Sequence, residues 1–263
     1  MQGCVQSHST MAASVSRIWR NVFVSGLVLL GAFGLAVQPD LFDRPVTRLL
    51  NGYVGHWPVL DRLAVTAFVF PTFSGCVLMA LVWSCWFDTG EVEQRARILV
   101  GTLASFAAGI ASRLLQYTLP THLRPVYDKV LGFQEPANLE ITHNSWNSFP
   151  SDHATVFSAL VLVIWLADSR FAVFAAVLTV IVEVARIYVG GHFPSDLIGG
   201  AGLAAMAIWI AQASWFVSIG RWLMTFEQRS PSLFYLGAFF FSYQIASLFL
   251  DVRNALSLVR QVL

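Results

Sequence analysis

The sequence predicts an all-α fold, a polytopic bundle of membrane-spanning helices. Three observations lead there. The 263 residues are 56% hydrophobic and only 12% charged, whereas ordinary soluble domains are about 25% charged. Mean hydropathy is +0.64. Seven apolar stretches run along the chain, at 22–37, 63–87, 98–119, 154–167, 171–189, 197–217 and 233–250, and most approach the ~20 residues a spanning helix needs.

In chain order, residues 1–18 form a polar N-terminal segment, of which 1–16 are polar and small with no basic region followed by an apolar stretch, so they do not read as a signal peptide. The first span follows. Between it and the second, residues 40–61 carry Leu41, Val46, Leu49, Leu50 and Val54 at a spacing that predicts an amphipathic helix on the outer interface. Pro71 predicts a kink in the second span. The third span ends in the longest polar insert, 119–148, which contains Pro120, Pro125, Pro136, Asn138, His143, Asn144 and Asn147 and is expected to form a lid or wall beside the site. The fourth stretch, 154–167, is short and lengthens if its helix starts at Ser151. The fifth and sixth are joined by a tight polar turn. The seventh, with an amphipathic tail, forms a C-terminal unit over 219–263, leaving 19–218 as the core. With the N-terminus inside, Arg17, Arg20, Arg95, Arg97, Arg170, Arg221 and Arg229 fall on the cytoplasmic side.

Composition also excludes functions. Net charge is +1, and Lys129 is the lone lysine among 16 basic residues, so there is no basic surface for nucleic acid. Cys76 and Cys85 share one stretch about 13 Å apart along a helix, and with Cys4 they suggest neither a disulfide scaffold nor a thiolate metal site.

Chemistry concentrates in three polar clusters, each at the end of an apolar stretch and all on the same, external side. In the third, Arg186 closes the fifth span and can offer a bidentate fork to a phosphate. His192 follows Gly190 and Gly191, Pro194 suits the first turn of the next helix, and Asp196 falls in that turn, within reach of a ring N–H of His192. A carboxylate there fixes the tautomer and raises the nucleophilicity of the other ring nitrogen. In the second cluster, Pro150-Ser151-Asp152-His153, Ser151 is a good N-cap. The first-turn amides offer a phosphate cradle, and His153 can protonate a leaving alkoxide. Asp152 is expected to pair with a nearby Arg or to favour the helix N-terminus. In the first cluster Arg124 supplies another phosphate donor, and Arg113, three turns earlier in an apolar stretch, requires a partner. Glu183 is read as the partner of Arg186. His8, His56, His122 and His143 are read as structural or solvated, and the tryptophans as packing and interface anchors.

Taken together these residues resemble the type 2 phosphatidic acid phosphatase family, membrane lipid phosphatases related to vanadium haloperoxidases. The family signature runs Lys-x6-Arg-Pro, Pro-Ser-x-His and Ser-Arg-x5-His-x3-Asp. Pro150-Ser151-Asp152-His153 matches the second part. The third, Ala185 through Asp196, matches except for Ala185 in place of serine. The first is half present: Arg124-Pro125 matches, while Tyr117 stands at the lysine position. Arg113, one turn before Tyr117 and on the same face, is the preferred substitute, with Lys129 and the Tyr117 hydroxyl as alternatives.

The resemblance implies a six-span phosphatase core, to which the seventh span is an addition. It implies a metal-independent hydrolase with no cofactor, acting on a lipid phosphate monoester or a polyprenyl diphosphate. His192 would form a phosphohistidine, held by Asp196, with His153 as acid and then base and with Arg124, Arg186, Ser151 and Arg113 binding the phosphate. An external site in a compact chain fits a bacterial inner-membrane enzyme facing the periplasm, embedded among membrane lipids, with oligomeric state open. Two competitors remain at this level: a phosphotransferase using the same intermediate, and a lipid-binding or transport protein that has lost catalysis.

Overall fold

The computed structural model describes residues 2–120, 122–137, 147–248 and 250, with side chains from residue 15 onward. Ten α-helices are seen among these residues: α1 (Gln2–Val37), α2 (Asp43–Asn51), α3 (Pro58–Val69), α4 (Pro71–Asp88), α5 (Val92–Thr118), α6 (Asp152–Ala167), α7 (Ser169–Tyr188), α8 (Pro194–Ala211), α9 (Ser214–Arg229) and α10 (Pro231–Ala246). The amphipathic tail expected at the C-terminus and residues Asn138, His143 and Asn144 lie outside the described residues.

Among the described residues, four helical segments are long and apolar enough to cross a membrane: Val15–Val37 of α1, α5, α7 and α8. Helices α3 and α4, bent by 67° at the break before Pro71, pass the same test only when taken together, as a broken span or a re-entrant loop. The kink expected there is therefore a full break, because Pro71 removes a helix donor and clashes with the turn before it. The protein is an integral membrane helical bundle.

The center of that bundle is α6. Its 16 residues reach only about 24 Å, less than the ~30 Å hydrocarbon core. Its surroundings remove the mismatch: α4, α5, α7 and α8 pack around it, and Val156, Phe157, Ala159, Leu160, Val163 and Ile164 are all buried. The exposed apolar surface lies instead on the outer faces of α1, α7 and α10, at Phe23, Leu30, Val173, Phe174, Leu236 and Phe239. Apolar surface drives little helix association in lipid, so close packing has to hold the bundle. Glycines permit it. A Cβ on Gly202 of α8 would stand 2.9 Å from the Leu29 amide of α1, and one on Gly200 would stand 2.7 Å from the Ser151 carbonyl.

Two elements differ from the sequence expectation. The stretch 197–217 is not one helix: α8 stops at Ala211, a turn follows, and α9 begins at Ser214. The amphipathic α9 runs along the N-terminal end of α5, with Val217 packed on Ala96 and Val100 and Arg221 bonded to Glu93 at 2.8 Å. The sequence reading missed α9 because its apolar first turn continues the hydropathy of α8. In the seventh stretch, α10 spans 16 residues antiparallel to α4. Phe234 stacks on Trp86, Trp83 Nε1 donates to Ser242 at 3.0 Å, and Gly75 meets the Ala246 backbone.

The amphipathic segment at 40–61 forms α2 and the turn after it. Leu41 and Leu49 point outward while Asp43 and Thr47 are buried, so the polar face is the one turned towards the protein. The expected outer wall is sewn to α2: Arg44 Nε donates to Asp128 at 2.8 Å, Arg48 Nη2 to the Val130 carbonyl at 3.2 Å, and Asn51 exchanges two hydrogen bonds with Gln134.

Candidate active site

All three polar clusters meet at one end of the bundle, and the backbone brings them there. Helix α7 ends at Tyr188, and the chain reverses through Gly190, whose φ of +76° is a left-handed value that a side chain would resist. A Cβ at Gly190 would also lie 2.6 Å from Val126 and Phe133, so the Arg124 segment packs directly on this turn. The amides of Gly191 and His192 donate back to the Arg186 carbonyl at 2.8 and 3.3 Å. The beginnings of α6 and α8 are joined by the Ser151 amide donating to the Asp196 carbonyl at 3.0 Å.

Around His192 the geometry is specific. Nδ1 lies 3.2 Å from Asp196 Oδ2, which also accepts from the Phe193 amide at 2.8 Å. With the proton held on Nδ1 by that carboxylate, Nε2 keeps its lone pair. Nε2 faces Arg124 Nη1 at 3.2 Å, and the same Nη1 donates to the Gly191 carbonyl. His192 is 2% exposed. Burial first, and then the neighbouring Arg124, lower its pKa to about 4, so the imidazole is neutral at physiological pH.

A second histidine–aspartate pair stands opposite. His153 Nδ1 lies 3.0 Å from Asp152 Oδ1, and Asp152 Oδ2 accepts from Arg113 Nη2 at 2.6 Å. Arg113 also donates to Gln116 Oε1 at 2.9 Å. The intramembrane arginine thus finds its partner in Asp152, as the cost of an unpaired charge requires. Of the three candidates for the missing lysine's place, Arg113 joins the cluster through Asp152, Tyr117 is 59% exposed, and Lys129 lines the cavity next to the cluster. Gln116 Nε2 and Ser112 Oγ both donate to the Pro150 carbonyl, at 2.7 and 3.0 Å, locking α5 to the start of α6.

Ser151 caps α6, its hydroxyl accepting from the Ala154 amide at 3.3 Å. The cradle of first-turn amides is more occupied than the sequence suggests: the His153 amide is bonded to Asp152 Oδ1, and that of Ser151 to Asp196. Arg186 is buried, its guanidinium 5.1 Å above the Phe68 ring and its Nε 4.0 Å from Glu183. It interacts electrostatically with both His153 and His192. His153, His192, Asp152, Asp196, Arg113, Arg124 and Arg186 therefore form one charged cluster inside an apolar bundle.

Two residues here escaped the sequence reading. His122, read as structural or solvated, puts Nε2 3.5 Å from Asp196 Oδ1 and 3.6 Å from Asp43 Oδ2. Its position two residues before Arg124 was the available signal. Asp43 carried none, since its partner Ser195 is 152 positions away: the Ser195 amide and hydroxyl donate to it at 2.9 and 2.6 Å. Burial raises the Asp43 pKa above its ordinary value against those two bonds. His56 is exposed. Next to the cluster, a cavity of about 520 Å³ opens between the end of α1 and the outer wall, lined by Phe33, Val37, His122, Phe149 and Phe193 with Arg44 and Lys129 at its polar side. Among the described residues, no group of three or more His, Cys, Asp or Glu side chains is placed to hold a metal ion.

Residues 95–219 match the PAP2 superfamily. A Bacillus licheniformis protein named bacitracin transport permease protein BcrC is 33% identical over 129 residues, covering 49% of this chain and 61% of that one. The match thus takes in less than two thirds of that relative's length. The undecaprenyl-diphosphatase BcrC of Bacillus subtilis is 25% identical over 155 residues, 59% of this chain and 74% of the other. Among solved structures, a transmembrane PAP2-type phosphatidylglycerolphosphate phosphatase from Bacillus subtilis superposes with a TM-score of 0.46 at 19% identity, over 73% of this chain and 92% of that one.

Proposed function

We propose, from the match of residues 95–219 to the PAP2 superfamily, that the clustered site is that of an integral-membrane lipid-phosphate phosphatase working through a phosphohistidine at His192. The observation that carries the reading is the His192 geometry: a neutral, buried imidazole with Nδ1 on Asp196 and the Nε2 lone pair facing Arg124 at 3.2 Å. A phosphoryl group held by Arg124 sits where Nε2 can attack it.

The steps follow from the charges. Arg124 and Arg186, with the Ser151 hydroxyl, neutralise the phosphate oxygens, which is most of the work in phosphoryl transfer. Nε2 forms the N–P bond as the P–O bond to the lipid breaks. His153, which takes up a second ring proton as the phosphate anion binds beside it, gives that proton to the departing oxygen, an alkoxide for a monoester or a polyprenyl phosphate for a diphosphate. Asp196 stabilises the imidazolium that forms at His192. Neutral His153 then takes a proton from water as that water attacks phosphorus, the N–P bond breaks, and inorganic phosphate leaves. Asp152 holds His153 and is itself held by Arg113, so Arg113 acts on the general acid as well as on the local charge.

The substrate is proposed to be a polyprenyl diphosphate or phospholipid phosphate, dephosphorylated at the periplasmic face of a bacterial inner membrane without a metal. The undecaprenyl-diphosphatase name of the Bacillus subtilis relative supports the first choice. The test uses purified protein in detergent with EDTA, offered undecaprenyl diphosphate, phosphatidate and phosphatidylglycerol phosphate, with released phosphate measured. Release that is lost in His192→Ala supports the reading, and full activity in that variant overturns it. Labelled lipid product without free phosphate would instead identify a transferase. Vanadate binding without turnover would identify a binding protein.

A further inference from the structure

We infer that His122 is a positioning residue for the nucleophile, placed between the buried carboxylates of Asp196 and Asp43 so that its Nε2–H holds Asp196 in the orientation that keeps His192 ready to attack. The inference rests on the proposed role of His192.

Both carboxylates are wholly buried. Asp196 Oδ2 is fully used by His192 and the Phe193 amide, but Asp196 Oδ1 has no hydrogen-bond partner among the described residues. A buried anionic oxygen without a donor is costly. His122 Nε2, itself without a hydrogen-bond partner, stands 3.5 Å from that oxygen and 3.6 Å from Asp43 Oδ2. A shift of about 0.5 Å brings it within hydrogen-bond distance of either, and active-site hydrogen bonds commonly tighten as substrate binds.

The scaffold holds the imidazole at that place. The His122 amide donates to Asn147 Oδ1 at 3.3 Å, its carbonyl accepts from the Ser148 amide at 2.9 Å and the Ser148 hydroxyl at 3.0 Å, and its ring packs 5.1 Å from that of Phe193. Asp43 on the other side is clamped by Ser195, the neighbour of Asp196. A chain of contacts therefore runs from α2 through Asp43, His122 and Asp196 to His192. Without the imidazole, two buried carboxylates would face each other, and Asp196 could turn away from Nδ1. Residues that orient a ligating or catalytic histidine through a carboxylate act in this way.

The experiment measures kcat and KM on whichever of the three lipids is cleaved fastest, for His122→Ala, His122→Asn and His122→Gln, with His192→Ala beside them. The glutamine amide nitrogen reaches the level of Nε2, and that of asparagine only the level of Nδ1. The expected result is a kcat about tenfold lower for alanine and asparagine with KM within about twofold, and recovery towards wild type for glutamine. If the alanine variant does not fold, the asparagine and glutamine pair decides. Equal losses in asparagine and glutamine, a wild-type kcat in asparagine, or a rise in KM alone would overturn the inference. An active His192→Ala variant would overturn the functional reading beneath it, and an inactive His192→Ala beside unaffected His122 variants would overturn only the positioning role.

Discussion

Each site histidine sits against one aspartate, and the two pairs are built differently. Asp196 also takes the Phe193 amide, while Asp152 takes Arg113. Asp196→Asn keeps the shape and loses the charge that fixes the Nδ1 proton and stabilises the imidazolium, so kcat is expected to fall by at least about a hundredfold, measured as phosphate release. Asp152→Asn leaves Arg113 without its anion and His153 with a weaker partner, and a kcat loss of about 10- to 100-fold is expected. The pH dependence of stability has a definite sign. His192 has a folded-state pKa of about 4 against about 6.5 in the unfolded chain. Above 6.5 neither state carries the proton. Between the two values the unfolded chain binds a proton that the folded chain refuses, so stability is lost as pH falls from 6.5 towards 4. The melting temperature in detergent should drop across that window, and His192→Gln should flatten the drop.

At the scale of elements, the site depends on how closely α6 and α8 approach. A Cβ at Gly200 would lie 2.7 Å from the Ser151 carbonyl and 3.0 Å from the Thr155 amide, both backbone atoms that cannot step aside. Gly200→Ala should therefore displace the start of α6, lowering stability by about 1–3 kcal/mol and reducing activity with it, as read from melting and phosphate release on the same preparation. The outer wall depends on α2 in the same way. Arg44 bridges Asp40 and Asp128, and its removal should loosen the wall of the outer cavity, raising KM several-fold while kcat changes less than in the Asp196 variant.

Over the whole molecule, a short buried helix is surrounded by longer ones. Phe157, with no exposed surface, sits in the core cluster with Leu78, Leu160, Ile164 and Ile208. Phe157→Ala should cost about 3–5 kcal/mol through the cavity it leaves and lower the melting temperature more than any outward-facing substitution on α7. The bundle also explains why charge can collect at the site. Ionisable side chains from several elements share one end of the fold, and Asp152 and Asp196 each have a cationic or imidazole neighbour within 4.0 Å, so neither carboxylate stands alone in the apolar bundle.

Hydropathy and motif spacing alone determined the helical membrane class, a bend at Pro71, the capping of α6 by Ser151 and the reach of Asp196 to His192. Each of these is local: it follows from residues within a turn or two of one another, where backbone geometry leaves little choice. Only the tertiary structure decided that Arg113 pairs with Asp152 across 39 positions, that α8 ends at Ala211 with α9 turned along the start of α5, and that His122 and Asp43 join the site. Those depend on which helix ends lie side by side. Packing sets that arrangement, through the glycines that let α8 close on α1 and α6, and one-dimensional hydropathy carries no record of it.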